Sequence, residues 1–118
     1  AQTAAETMGM DVEDVEMRMG NSAYPVSSGS GGQFGGPSSS SGVYAACMAL
    51  REKIAGNLGI EEASFNGGRV TGGDIDMALS EINEEVSAED AIQWGEFQKG
   101  YAMGTFGAHF VEVGVHAY

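Results

Sequence analysis

The stretch richest in chemical potential runs Gly29-Ser30-Gly31-Gly32-Gln33-Phe34-Gly35-Gly36-Pro37-Ser38-Ser39-Ser40-Ser41. Glycines carry no Cβ, so several main-chain N–H groups can turn the same way and approach an anion closely. A helix starting behind them would add unpaired N–H groups and the positive end of its dipole. Serine hydroxyls and the Gln33 amide could add further hydrogen bonds. The chemistry is a phosphate cradle that uses neither lysine nor arginine. No Gly-Lys-Ser/Thr follows, so it is not a Walker A loop, and it lacks the G-x-G-x-x-G spacing of a Rossmann turn. A plain Gly/Ser linker is the competing reading. Tyr24, Pro25, Gln33 and Phe34 argue against it, since a solvated spacer needs none of them.

The other chemistry-bearing residues are weaker candidates. His109 and His116 lie seven apart on a stretch that reads as a strand, so they fall on opposite faces and do not share a metal. Both read as structural histidines. Cys47 falls on the apolar stripe of a helix and reads as core. The seven methionines read as packing material. Glu112 has no evident partner carboxylate and no base role is assigned to it. No Ser-His-Asp spacing stands out. No catalytic and no metal-ligating residue is therefore named.

Elements must position the loop. Gln2 to Met8 reads as a helix, with Gly9 as its C′ residue. Val15, Met17 and Met19 alternate with Asp14, Glu16 and Arg18, which predicts a strand. Gly20 to Gly36 carries no period and is longer than most connections; such loops are functional or disordered. The clearest helix follows, over Ser38–Asn57. Pro37 suits its first position, Ser38 to Ser41 suit its free N–H groups, and Gly56 to Gly59 end it. Val43, Cys47, Leu50 and Ile54 form its apolar stripe. Arg51 and Lys53 sit in the half that the helix dipole favours. Phe65 to Val70 resembles a hairpin on an Asn-Gly turn. Asp74 or Asp76 could cap a short helix through Met77, Leu79 and Ile82. Glu84 to Gly100 is acidic and irregular, with a short helix around Ala91. Thr105 to Tyr118 reads as a long strand. The fold class is α+β: a small, mostly antiparallel sheet with one long helix and shorter helices packed on it.

The 118 residues suit one small unit. Seventeen acidic residues against five basic ones give a net charge of −12, which disfavours nucleic acid and anionic membranes as partners. One cysteine excludes an intrachain disulfide. No apolar run approaches the ~18 residues of a membrane span, and there is no signal peptide. The chain opens in helix-like sequence at Ala1 and stops in strand-like sequence at Tyr118, so it reads as a single fragment, 1–118, of a longer chain.

The residues Tyr24-Pro25, Gly29-Ser30-Gly31-Gly32-Gln33-Phe34-Gly35 and Ser40-Ser41-Gly42-Val43-Tyr44-Ala45-Ala46-Cys47-Met48-Ala49-Leu50-Arg51-Glu52-Lys53 resemble the large subunit of molybdenum hydroxylases. The family is that of xanthine dehydrogenase and aldehyde oxidase, and the likeness is greatest to bacterial aldehyde oxidoreductases. Val-Glu-Met-Arg-Met-Gly-Asn-Ser before the loop, Gly67-Gly68-Arg69-Val70 after it, and Thr105-Phe106-Gly107-Ala108-His109-Phe110-Val111-Glu112-Val113 at the end keep the same order.

The resemblance implies a molybdenum-cofactor-binding domain. Its cofactor loop, 20–36, would hold the phosphate and dinucleotide part of a molybdopterin cofactor, usually the cytosine dinucleotide in bacteria. Ser30, Gly31, Gly32, Gln33, Phe34 and Gly35 would be the contacts. It implies oxidation of aldehydes or N-heterocycles with oxygen drawn from water, and as partners the remainder of the large subunit and the iron–sulfur and FAD domains or subunits. The family's Gly-Gln-Gly segment and its general-base glutamate do not occur in this sequence. The piece alone is therefore expected to be inert, and bound cofactor is not required of it. A stand-alone acidic module that binds a phosphate, a nucleotide or another partner is the alternative. The substrate and the compartment, cytoplasm or periplasm, stay open.

Overall fold

A computed structural model describes residues 1–26, 29, 35–90, 99–100 and 107–116. Its elements are α1 (Gln2–Met8), α2 (Gly35–Leu58), β1 (Ser64–Asn66), β2 (Arg69–Gly72) and β3 (Ile75–Ala78), with single 3-10 turns at Val12–Asp14 and Leu79–Glu81. The architecture is α+β: one long helix, shorter helical pieces and a three-stranded antiparallel sheet in the order β1-β2-β3.

Both helices end as glycine chemistry dictates. Gly9 adopts φ 64° and ψ 44°, and Met10 N–H donates to the Ala5 carbonyl at 3.0 Å. Gly59 adopts φ 68°, and Ile60 N–H donates to the Ala55 carbonyl at 2.9 Å. A left-handed glycine followed by that long back-bond satisfies carbonyls the helix leaves free. Gly9 does more than cap. Its carbonyl accepts from Gly68 N–H at 2.8 Å, and a Cβ there would overlap the Phe65 carbonyl. The end of α1 thus sits directly on the hairpin.

The core gathers on one stripe of α2. Cys47 and Ile54 of that stripe are buried with Met8 of α1, Ile60, Phe65 and Val70; Val43 and Leu50 pack against them partly buried. These residues recur three to four apart along α2, as one face of a helix must. Val70, on the central strand, is completely buried. Each such side chain contributes about 1.5–3 kcal/mol. Arg51 ties the three parts together. Its Nη1 donates to the Thr7 carbonyl at 2.7 Å, and its guanidinium lies 4.6 Å from the centre of the Phe65 ring.

Several expectations are corrected. Residues 15–19 form no strand: Glu16 to Met19 are exposed and lack regular structure. The same holds for 107–116 of the terminal segment; 105–106 and 117–118 lie outside the described residues. A strand needs a neighbour for its backbone groups, and neither segment enters the sheet. The hairpin turns on Gly67-Gly68, at φ 57° and 70°, with Asn66 and Arg69 as the flanking pair. Both central residues of such a turn need positive φ, so two glycines outcompete Asn-Gly. The expected helix through Met77 is instead β3, joined to β2 by Gly73-Asp74. Gly-Asp is itself a hairpin signal, here masked by the helical spacing of Leu79 and Ile82. The 3-10 turn Leu79–Glu81 follows β3. The expected helix around Ala91 lies outside the described residues.

Candidate functional site

The Gly20–Gly36 segment connects two differently anchored ends. On its entry side, Asn21 builds a small turn: its Oδ1 accepts from Ala23 N–H at 2.9 Å, and its carbonyl accepts from Tyr24 N–H at 3.1 Å. Tyr24 is 41 % exposed and Val26 is 93 % exposed, so this turn is held by its own hydrogen bonds rather than by the core. On its exit side stands α2, which begins at Gly35, three residues before the sequence places it. Pro37 is thus the third helical residue. It still costs nothing, because no first-turn N–H has an acceptor within the helix.

The serines behave differently from expectation. Ser40 Oγ donates to the carbonyls of Gly36 (2.9 Å) and Pro37 (3.1 Å), and Ser41 Oγ donates to that of Ser38 (3.0 Å). These hydroxyls return to the helix's own carbonyls. The first-turn N–H groups of Gly35 and Gly36 have no acceptor within the helix. No acidic residue stands in that turn, and among the described residues no atom from outside it lies within 4 Å of where a Gly36 Cβ would stand. Two main-chain donors, a dipole end and no carboxylate in the first turn form a donor set suited to a phosphate.

Of the six contact residues expected from sequence, Gly35 is the first residue of α2. Ser30, Gly31, Gly32, Gln33 and Phe34 lie outside the described residues.

The remaining candidates resolve plainly. Cys47 is buried at 9 % exposure, and burial pushes its thiol up, so it stays protonated and inert at neutral pH. His109 and His116 are exposed rather than structural. Among the described residues no three His, Cys, Asp or Glu side chains form a metal cluster, and no helix is long and apolar enough to cross a membrane. Lys53, expected only to favour the helix dipole, has specific partners: Glu84 Oε2 and the Glu85 carbonyl, both at 2.9 Å. Lys53 draws the Glu84 carboxyl below its ordinary value. Arg18 does the same to Glu16 by a two-point hydrogen bond. Sequence reasoning missed a groove of about 310 Å³ beside α2, lined by Met8, Val15, Cys47, Leu50, Ile54 and Ile82. Its lining comes from four separate segments, so no local spacing announces it.

Comparison with known proteins adds a whole-chain match. Residues 1–117 match the model of the molybdopterin cofactor-binding domain. Over 99 % of its length the chain is 48 % identical to the aldehyde oxidoreductase molybdenum-binding subunit PaoC of Escherichia coli K12, and 47 % identical to that of Escherichia coli O157:H7. It spans about 16 % of the length of these curated relatives.

Proposed function

We propose, from the premise that this chain belongs to the molybdopterin cofactor-binding domain family, that it is the dinucleotide-gripping piece of the molybdenum-binding subunit of an aldehyde oxidoreductase. The observation that carries the reading is the start of α2. Main-chain donors with no competing carboxylate stand where the glycine-rich loop delivers its end. The N–H groups of Gly35 and Gly36 hold one phosphate of a pyrophosphate. Ser30, Gly31, Gly32, Gln33 and Phe34 wrap the rest of the cytosine dinucleotide. Charge is matched by dipoles rather than by cations, which agrees with the chain's scarcity of Lys and Arg.

When bound, the cofactor supplies the molybdenum centre at which an aldehyde or N-heterocycle is oxidised with oxygen from water. The residues of this chain bind and orient; none of them moves a proton. The remainder of the subunit supplies the reacting pocket, and iron–sulfur and FAD partners take the electrons. The piece alone is therefore inert.

The test is a titration of the 118-residue chain with cytidine diphosphate and with inorganic phosphate, followed by backbone amide shifts. Cytidine diphosphate should move the amides of Gly29 to Ser38, and more strongly than phosphate does. Shifts equal for both ligands would favour a generic phosphate module, and shifts elsewhere or none would overturn the grip. Aldehyde oxidation by the isolated chain with a dye acceptor would overturn its inertness.

A further inference from the structure

Beside its core-facing stripe, α2 carries a second one. Tyr44, Met48 and Arg51 lie on one face of that helix, and Thr3, Glu6 and Thr7 lie on one face of α1. Between them the two faces leave an open cleft of about 460 Å³.

Arg51 sets the chemistry of this cleft. Its guanidinium is held in place by the 2.7 Å hydrogen bond from Nη1 to the Thr7 carbonyl and by the Phe65 ring it lies on. An arginine fork has further N–H donors, and no other hydrogen bond from this one occurs among the described residues. The contrast with its fellow cations is direct. Arg18, Lys53 and Arg69 are exposed, and each holds a carboxylate, at 2.9, 2.9 and 2.6 Å. Arg51 is half-buried and holds no carboxylate among the described residues, although Glu6 lines the same cleft. A partly desolvated cation with unspent donors gains more from an anion than an exposed one does.

The lining narrows the class of anion. No second cation lines the cleft, so it matches one negative charge and not a multiply charged phosphate. The planar fork suits the two oxygens of a carboxylate, as the two-point bond of Arg18 to Glu16 shows elsewhere in the chain. Tyr44, 52 % exposed, and Met48 offer apolar surface beside the fork.

We propose that this cleft binds a small monocarboxylate with a short apolar stem. The carboxylate takes the free edge of the Arg51 fork, and the stem covers Tyr44 and Met48. The site is separate from the start of α2, since Tyr44 stands roughly 13 Å along the helix from Gly35. It does not rest on the proposed cofactor grip.

Titration of the 118-residue chain with 4-methylpentanoate, followed by the Arg51 Nε–H signal and the backbone amides, tests it. The Arg51 signal and the amides of Thr3, Glu6 and Tyr44 should shift together and saturate with a Kd on the order of 1–10 mM, the range open to so small a ligand. Acetate, which lacks the stem, should bind about fivefold more weakly. The neutral 4-methylpentanamide should not compete. Glu6→Gln should tighten binding by about two- to fivefold, because it removes a like charge from the cleft. Tyr44→Ala should weaken it by about as much. Both positions are exposed, so the Val70 amide, reporting the core, should keep its place in either variant. No saturable shift, shifts centred on other residues, an equal response to acetate or to the amide, or an unchanged Kd in either variant would each overturn the site.

Discussion

The hairpin and the 107–116 segment are built from the same kind of sequence and meet opposite fates. Both carry β-branched and aromatic residues at alternate positions. Val70 on β2 is fully buried, whereas Val113 is 75 % exposed. The difference is supply. The hairpin has two glycine turns that return the chain on itself and a helix face, Cys47 to Ile54, that covers it. The 107–116 segment has neither among the described residues. Strand propensity is thus permission to pair, and burial follows only where a turn or another segment brings the partner.

The sharpest way to break this contrast is to remove its helix face. Ile54→Ala should destabilise the chain by about 2–5 kcal/mol, since Ile54 is 3 % exposed and a cavity would remain under α2. Denaturant unfolding measures it; a loss below ~1 kcal/mol would mean that α2 does not hold the hairpin. Next is the turn. Gly67→Ala should cost about 1–2 kcal/mol, because φ 57° is unfavourable for an L residue even where, as here, space is open. An unchanged midpoint would show that the hairpin is not needed for stability.

A smaller effect concerns pH. The folded-state Glu84 carboxyl is held low by Lys53. Its contribution is therefore full above the ordinary glutamate range and fades as pH falls through the lowered value. Lys53→Met should reduce stability at neutral pH and flatten the acid side of the stability curve. An acid limb parallel to that of the parent chain would remove the ion pair from the account. The smallest change is expected at Phe110, 97 % exposed. Phe110→Ser should alter stability by no more than about 0.5 kcal/mol. A loss like that at Ile54 would mean that the segment packs and that the contrast is false.

How legible each part was depended on how local its physics is. The apolar stripe of α2, Gly9 and Gly59 as caps, and Cys47 in the core follow from spacings of a few residues and from what glycine alone tolerates. β3 departs from the helix expected there because Met77, Leu79 and Ile82 also satisfy a helical spacing, while the Gly73-Asp74 turn returns the chain along β2. The roles of Ser40 and Ser41 are not legible in the sequence, because a serine near a helix start can cap it or bond back into it, and here both bond back.

What the sequence by itself determined, then, is the class of the fold, its main helix and the glycine- and serine-rich composition of the segment before it. These need only local conformational preference and composition. Tertiary structure decided where α2 begins, which alternating segments become strands, and that Arg51 joins α1, α2 and the hairpin. Each of those depends on which distant segment arrives to accept a hydrogen bond or cover an apolar face, and no residue carries that information alone.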